Sequence, residues 1–398
     1  MESPPRPARS GARRSGRHRA QNSGCGHVNA LRLDPAGARA EGARLLAAFQ
    51  AEGAQPVEAA ILQPAETLLD LYGEDIRARA YVTTDPLEGE MMLRPDFTVP
   101  VVQAHMREGA DPARYCYLGE VFRKQESPGA MRLSEYLQVG YEVFDRDRPL
   151  EADAEVFALF TRLLAPLGLR AATGDIGILR AAVAGLPTSA PRKAALMRHL
   201  WRPRRFHALL ERYAGRAEVP PARAELLARL ARGEAVQSTA PHIGLRSPTE
   251  IDARLRRLAE DAATSAIPAE LVDELEAVAA IAAKSPAALA ALTDAARAMP
   301  WIAPSVDGFA RRLDALAARG IDVEGLDYEA SFGRTTLEYY DGFVFGFFAE
   351  ARPDLPPVAT GGRYDALTAV LGQGRSIPAV GGVIRPAVVA LLGGARGC

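Results

Sequence analysis

The sequence predicts an α+β protein whose sheet is assembled from two separated parts of the chain. Alternating β-forming residues concentrate in two blocks, at about residues 55–180 and 325–392. Between them, residues 185–320 are dominated by Ala, Leu, Arg and Glu with helical apolar spacing. The strands of the two blocks must pair across this helical segment, which argues against a regular alternation of strands and helices.

Composition divides the chain into four segments. Residues 1–30 contain six arginines, several prolines and no apolar periodicity, so we expect a disordered Arg-rich tail. Residues 31–184 and 321–398 are predicted to form the two parts of one core, and residues 185–320 a helical insertion between them.

The first block opens with a predicted helix over residues 36–50, which has helical apolar spacing and stops at a glycine. Residues 57–75 read as a short strand that runs into a helix. "EMMLRPDFTVPVVQAHM" (90–106) predicts a strand, a turn and a helix that begins near Val99. Residues 114–145 contain two runs of alternating β-formers around a polar Gly/Pro loop, which predicts a pair of strands. A helix follows over residues 152–169.

The helical segment carries its own start signal, because "SPAALAALTDAARA" places Ser285 as an N-cap and Pro286 at the first helical position. β-Character returns over residues 335–350 and 358–394. In "GGRYDAL" the two glycines are predicted to make a turn before a helix that starts near Tyr364, because the stretch is too short for a phosphate-binding loop.

Charge and cysteine usage exclude several classes of protein. The net charge of −1 gives no general attraction to nucleic acid or to an acidic membrane surface, and no apolar run reaches the ~18 residues of a membrane helix. Cys25, Cys116 and Cys398 are scattered, as expected for free thiols in a reducing compartment such as the cytoplasm. The six histidines show no metal-ligand spacing. We therefore expect a cytoplasmic protein with no metal, cofactor or membrane segment.

A polar hollow is predicted on the strand "EYLQVGYEVF" (135–144). Side chains alternate between the two faces of a strand, so Gln138, Gly140 and Glu142 share one face. In "LEYYDGFVFGFF" one face likewise combines Tyr340 with glycines. Two strands that omit side chains around a hydrogen-bonding group indicate a ligand cavity. The alternative is that these glycines mark bulges or tight packing against a helix.

Three further polar residues could serve such a cavity. Asp96 and Thr98 can hold an ammonium group, although they can equally form an Asx-turn or cap the following helix. Arg123, at a strand end, can clamp a carboxylate or phosphate through its planar fork, or can simply be solvated. Carboxylates, an amide, an arginine and a phenol together suit an amino acid.

Four segments, taken in order, resemble the catalytic core of histidyl-tRNA synthetase, a class II synthetase fold. "LRPDFT" (93–98) is similar to that family's "LRPEGT", and "YLGEVFRKQ…EYLQVGYEVFD" to its motif 2 strands. "LEYYDGFVF" (337–345) resembles the histidine-pocket signature, and "GGRYDALTAVLG…PAVGG" the segment that leads to motif 3. The resemblance implies a mixed, mostly antiparallel sheet flanked by helices.

The resemblance also implies a histidine pocket. Its seven matching residues are Asp96, Thr98, Arg123, Gln138, Glu142, Tyr339 and Tyr340. The first two and the amide would surround the α-amino group, whereas Glu142 and Tyr340 would face the imidazole. The arginine stands at the motif 2 position that touches the carboxylate and phosphate region in synthetases.

Several departures from the synthetase pattern affect the expected function. Gln125 stands where motif 2 carries a carboxylate, and Val388 aligns with the motif 3 arginine that holds the ATP phosphates. Loss of one charge-stabilising donor costs roughly 10²–10³ in rate. Arg385 lies one helical turn earlier, which leaves partial substitution open. Arg334 lies one residue further from the tyrosines than in synthetases, so it would need a bulge to reach a bound carboxylate.

The positions that face histidine are thus kept, while positions that face ATP are lost. Only ten residues follow Val388, whereas a synthetase has its anticodon-binding domain after the corresponding position. This pattern resembles the ATP phosphoribosyltransferase regulatory subunits. The resemblance implies a non-catalytic homodimer within a hetero-oligomer with short-form ATP phosphoribosyltransferase catalytic subunits, with no tRNA or DNA partner. It would be required for their activity and for inhibition by L-histidine at the first step of histidine biosynthesis.

Two alternatives remain open from the sequence. One is a truncated or divergent histidine-activating enzyme, and the other is a different amino-acid sensor or scaffold on the same fold. The geometry of the dimer is also open, because Ala60 replaces the proline that is usual in motif 1, the region that builds the synthetase dimer.

Overall fold

The structure, a computed structural model, describes residues 34–65, 78–124, 133–234, 244–332 and 339–394. The predicted Arg-rich tail, Cys25 and Cys398 lie outside the described residues, whereas Cys116 is a buried free thiol. Within those ranges, no helix is both long enough and apolar enough to span a bilayer.

Helices and strands follow one another in an order close to the one predicted. The described helices are α1 Pro35–Ala51, α2 Thr98–Glu108, α3 Pro149–Leu164, α4 Ile176–Gly185, α5 Ala190–Arg198, α6 Pro203–Tyr213, α7 Pro221–Ala231, α8 Pro248–Ala263, α9 Ala269–Ala279, α10 Ser285–Ala298, α11 Ala303–Ala318, α12 Asp365–Leu371 and α13 Pro386–Gly394. The described strands are β1 Gln55–Pro56, β2 Leu62–Pro64, β3 Val82–Asp85, β4 Gly89–Leu93, β5 Ala113–Phe122, β6 Glu135–Phe144, β7 Arg170–Asp175, β8 Ala282–Lys284, β9 Asp327–Glu329, β10 Phe343–Phe348, β11 Ala359–Arg363 and β12 Ala379–Ile384.

The main sheet joins the two sequence blocks, as predicted. Its nine described strands run in the order β1-β5-β6-β12-β11-β10-β7-β9-β8. β12, from the second block, lies between β6 of the first block and β11. The pairs β1–β5 and β7–β9 are parallel and the other pairings are antiparallel, so the sheet is mixed and mostly antiparallel. A separate three-stranded sheet has the order β2-β4-β3.

Helix α3 covers one face of the sheet because its apolar side meets the aromatic face of β10. The ring of Phe157 lies 5.5 Å from the rings of both Phe345 and Phe347, and Phe160 lies 5.6 Å from Phe345. These side chains are almost fully buried. Alternation along β10 places Phe343, Phe345 and Phe347 on this face and Val344, Gly346 and Phe348 on the other.

A buried network of arginines and aspartates fixes α3 and α11 against the sheet. Asp153 on α3 accepts hydrogen bonds from Arg312 (2.8 Å) and Arg363 (2.7 Å). Arg312 also donates to Asp175 (2.7 Å), whose other carboxylate oxygen caps α4 by accepting from Gly177 N. The network joins three helices to β11, and each carboxylate in it is paired.

The helical segment is mostly helical, as predicted, but it also contributes a strand. Residues Ala282–Lys284 form β8, which pairs with β9 at one end of the main sheet. The domain boundaries that we drew from composition stay predictions.

Two local predictions are wrong. Ser285 is the first residue of α10 and not its cap, since its buried hydroxyl donates to Leu326 O (3.0 Å) and Lys284 occupies the capping position. The glycines of "GGRYDAL" do not form a turn. Gly361 and Gly362 lie inside β11, where a side chain on Gly361 would come within 2.3 Å of the ring of Phe345. The predicted helix start near Tyr364 is confirmed, because α12 begins at Asp365.

Candidate ligand pocket

A small, largely enclosed cavity lies against the main sheet, where β6 pairs with β12. All seven residues of the predicted histidine pocket line it, together with Tyr364, Gly381, Gly382 and Val383.

Glu142 forms the floor of the cavity and accepts three hydrogen bonds from hydroxyl groups. Its Oε1 accepts from Tyr117 (2.9 Å) and Thr98 (3.1 Å), and its Oε2 accepts from Tyr364 (2.7 Å). A carboxylate offers about four lone-pair positions. One position therefore remains for a donor from a ligand, such as an imidazole N–H.

Burial controls the protonation of this carboxyl group. Glu142 is 1% exposed, and burial raises its pKa to about 7. The three hydroxyl donors favour the charged form and the neighbouring Asp96 carboxylate disfavours it, but burial is the dominant influence. Burial also raises the pKa of Tyr117 and of Tyr364 well above the usual value, so both phenols remain hydrogen-bond donors.

Glycines on β12 and β6 leave room for the side chains of Glu142 and Tyr117. A Cβ on Gly381 would come within 1.5 Å of Glu142 Oε2, because the carboxylate fills the space beside β12. A Cβ on Gly140 would come within 2.1 Å of the Tyr117 ring, which crosses from β5 at the paired position. The predicted hollow on β6 is therefore partly filled by this tyrosine. Gly140 thus packs against a side chain of the neighbouring strand, in regular register, and lies neither in a bulge nor against a helix.

Tight packing also accounts for the glycines of the second predicted face. A Cβ on Gly342 would meet the side chain of Arg363, and one on Gly346 would meet the ring of Phe332. β10 begins at Phe343, so Tyr340 reaches the cavity from the segment that precedes the strand.

Asp96 and Thr98 form the predicted Asx-turn and also line the cavity. Asp96 Oδ1 accepts from Thr98 N (3.1 Å), which forms the predicted Asx-turn at the start of α2. The Thr98 hydroxyl donates to Glu142 and accepts from Tyr339 (3.4 Å). The turn thus aims both side chains into the cavity.

Gln138 offers an unused acceptor to a ligand. The residue is 1% exposed, and its buried Oε1 accepts no hydrogen bond from any residue that the structure describes. A buried polar atom without a partner costs about 1–3 kcal/mol. An ammonium or amide donor in the cavity would remove this cost.

Arginines supply positive charge beside the cavity. Arg123 Nε donates to Pro95 O (2.7 Å), and its Nη2 lies 3.9 Å from Asp96 Oδ2. Arg385 follows β12 and donates to Pro357 O. Burial lowers the pKa of Arg385, the neighbouring Arg123 lowers it further, and Tyr136 raises it. Two cations within electrostatic reach of each other suit an anionic group on a ligand.

Sequence reasoning missed Tyr117 and Tyr364, which hold Glu142 in place. The signal for the first was its strand pairing, since a long aromatic side chain opposite Gly140 fills the space that the glycine leaves. The signal for the second was the "GGRYDAL" segment itself, whose tyrosine directly follows β11.

Comparison with known proteins places these observations in a family. The sequence profile described as histidyl-tRNA synthetase matches residues 33–284 and 250–388. An ATP phosphoribosyltransferase regulatory subunit from Agrobacterium fabrum is 36% identical over 354 residues, which cover 85% of this chain and 92% of that protein. The regulatory subunit from Mesorhizobium japonicum is also 36% identical, with 84% of this chain and 92% of that protein covered.

The chain belongs to the family of ATP phosphoribosyltransferase regulatory subunits. Solved structures support the class II fold of this family member. An ATP phosphoribosyltransferase regulatory subunit/histidyl-tRNA synthetase from Bacillus halodurans gives a TM-score of 0.61 at 18% identity, covering 90% of this chain and 79% of that one. A histidine–tRNA ligase subunit from Alicyclobacillus acidocaldarius gives 0.56 at 23% identity, covering 97% and 100%.

Only some of the residues at which this chain departs from the synthetase pattern lie within the described part of the structure. Val388, at the position that resembles the motif 3 arginine, is buried on α13 and is 3% exposed. Gln125 and Arg334 lie outside the described residues.

Proposed function

We propose that this protein is the regulatory subunit of an ATP phosphoribosyltransferase and catalyses no reaction by itself. It forms a homodimer, assembles with short-form catalytic subunits into a hetero-oligomer, and is required for their activity. It makes the first step of histidine biosynthesis sensitive to L-histidine, in the cytoplasm, without a tRNA or DNA partner. The observation that carries the proposal is the match to named regulatory subunits over 92% of their length.

We propose the cavity around Glu142 as the histidine site. The imidazole donates to the remaining acceptor position of the Glu142 carboxylate, beside Tyr340. The α-amino group lies near Asp96 and the unused Oε1 of Gln138, in line with the donor requirement of that buried oxygen. Arg123 attracts the carboxylate of the amino acid.

Loss of catalysis is supported by the chemistry at α13. A buried valine at position 388 offers no donor to a phosphate. Histidine activation develops negative charge on the ATP phosphates, which needs positive charge in place. A histidine-activating enzyme is therefore the weaker candidate.

Reconstitution with a short-form catalytic subunit tests the main proposal. We expect the catalytic subunit alone to have little activity, the mixture to be active, and histidine to inhibit the mixture. Absence of a complex in size-exclusion chromatography, or full activity of the catalytic subunit alone, would contradict the proposal. Pyrophosphate exchange with histidine and ATP separates the candidates, since robust exchange would make the chain an enzyme.

Substitutions in the cavity test the histidine site separately. Glu142→Gln and Tyr340→Phe should weaken histidine binding, measured by calorimetry, and weaken inhibition of the mixture to the same degree. Glu135→Gln is the matched control, because Glu135 lies on the same strand and is exposed. Unchanged inhibition by histidine in both cavity variants would place the effector site elsewhere and leave the subunit assignment standing.

A further inference from the structure

A groove in the helical segment carries an excess of positive charge. It has a volume of about 490 Å³, lies between α5, α6, α7 and α8, and shares no lining residue with the candidate histidine cavity. We call it the arginine groove. Its lining includes six arginines and one acidic residue: Arg192, Arg212, Arg223, Arg246, Arg254, Arg257 and Asp261.

Three of these arginines already have a partner. Asp261 accepts from Arg192 Nε (2.7 Å), and its other oxygen lies 3.3 Å from Arg223 and 3.5 Å from Arg212. One carboxylate therefore faces three guanidinium groups and cannot neutralise them all. Asp261 and the three arginines around it together keep a net positive charge.

The other three arginines of the groove are more accessible to a binding partner. Arg246, Arg254 and Arg257 are exposed, and no acidic residue among those that the structure describes makes a salt bridge with Arg254 or Arg257. Arg246 interacts electrostatically with Glu250, which is engaged in capping α8. The rim of the groove thus presents unpaired guanidinium groups to solvent.

The groove also has an uncovered apolar floor. α7 and α8 pack on each other, yet neither helix contains a buried residue. The floor of the groove consists of Leu226, Ile251, Leu255 and Leu258. Ile251 is 38% exposed, and the three leucines are half-buried. Helices with an apolar face normally bury it against another element.

We infer that the arginine groove is the docking site for an acidic protein segment that carries apolar side chains. Charge complementarity supports this occupant, because carboxylates pair with the arginine rim while apolar side chains cover the leucine floor. The connection between α7 and α8 is not such a segment, because residues 235–243 read "AVQSTAPHI" and contain no acid. The tail over residues 1–30 is basic.

The floor argues against single-stranded nucleic acid as the occupant, and the experiment below separates a peptide from a duplex. Single-stranded nucleic acid is held by aromatic rings on which bases stack. Tyr213 is the aromatic residue that lines the groove, and the guanidinium groups of Arg192 and Arg212 lie 4.8 Å and 4.7 Å from its ring centre. It is 4% exposed, so no base can stack on it.

Peptide binding to the full-length protein tests this inference independently of the histidine site. The probe is a fluorescent helical peptide with leucines at i, i+3, i+4 and i+7 spacing between glutamates. The comparison ligands are the same peptide with serine at each leucine position, and a DNA or RNA duplex. Anisotropy titrations should show tighter binding of the leucine peptide, which weakens as salt is raised.

Variants locate the site. The double variant Arg254→Glu/Arg257→Glu should weaken binding of the leucine peptide by about tenfold or more, and Arg246→Glu should weaken it less. Arg256→Glu, on the same helix but outside the groove, is the matched control and should bind as the parent does.

Four results would overturn the inference. They are equal binding of the serine peptide, tighter binding of the nucleic acid duplex, unchanged binding by the double variant, and a change in oligomeric state in the double variant. The last result would show that a second copy of the chain covers the groove. None of them bears on whether the chain regulates a phosphoribosyltransferase.

Discussion

At the scale of single residues, Glu142 sets the chemistry of the candidate pocket. Its carboxyl group is buried, holds three hydroxyl donors and has a pKa raised to about 7 by burial. An imidazole with a pKa of about 6.5 placed against it shares one proton with it. The bound pair therefore carries one proton over a wide range of pH.

Histidine affinity should consequently fall as the pH rises above about 7. There, free Glu142 and free imidazole are both deprotonated, so formation of an imidazolium–carboxylate pair takes up one proton, and Kd should rise toward about tenfold per pH unit. Calorimetry at pH 6, 7 and 8, in two buffers with different ionisation enthalpies, measures both the affinity and the proton uptake. A constant Kd between pH 7 and pH 8 with no proton uptake would contradict the charged pair and would indicate that a neutral imidazole donates its N–H to the ionised carboxylate.

Gly381 should be intolerant of any side chain. In Gly381→Ala the new methyl group would occupy the position of Glu142 Oε2, which accepts a hydrogen bond from the Tyr364 hydroxyl. We expect loss of histidine binding and a stability cost of about 1–3 kcal/mol from overpacking. Thermal unfolding and calorimetry measure both effects.

The control for that variant is Gly308→Ala. Gly308 lies inside α11, and a Cβ there meets no atom. This change should stabilise the protein by about 0.5–1 kcal/mol and leave histidine binding unchanged. Normal histidine binding by Gly381→Ala would mean that the pocket rearranges around Glu142.

At the scale of helices and strands, the buried ion network positions the elements behind the pocket. Arg312 on α11 bonds Asp153 on α3 and Asp175 at the end of β7. Replacing all members of such a network by apolar side chains changes the free energy of unfolding little. Removing one member lowers it strongly, because the remaining charges stay buried without a partner.

Arg312→Met should therefore destabilise the protein by about 3–5 kcal/mol, because Asp175 is left buried without its partner. Arg311→Met is the matched control, since Arg311 is the exposed neighbour on α11, and it should change stability by less than about 0.5 kcal/mol. Urea unfolding of the three proteins measures the difference. Equal midpoints for Arg312→Met and the parent protein would show that the network relaxes or takes up water.

At the scale of the whole molecule, regulation requires that histidine and the catalytic subunit influence each other's binding. Allosteric coupling is typically about 1–3 kcal/mol, or about 5–150-fold in affinity, and it is reciprocal. The Kd for histidine should thus change by such a factor when a short-form catalytic subunit is added. Identical Kd values with and without the partner would remove the basis for feedback control through this chain.

Sequence patterns predicted the fold because its main signals are local. Alternation along β6 and helical spacing in α3 can be read from neighbouring residues. Ser285 was misplaced as a cap because its partner, the carbonyl of Leu326, is distant in sequence. Tyr117 was missed for the same reason, since its role depends on pairing with β6. A cavity was predicted from strand alternation and glycines, its histidine-facing residues were assigned from resemblance, and its internal hydrogen bonds could be found only in three dimensions.

The position of β12 also has a consequence for how the protein is made. On a ribosome, β6 emerges early and must wait for the entire helical segment before its hydrogen-bonding neighbour is translated. Until then its edge can pair with any strand, including one from another nascent polypeptide. We therefore expect production in cells to depend on chaperones, which would shield that edge until translation reaches the last strand of the sheet.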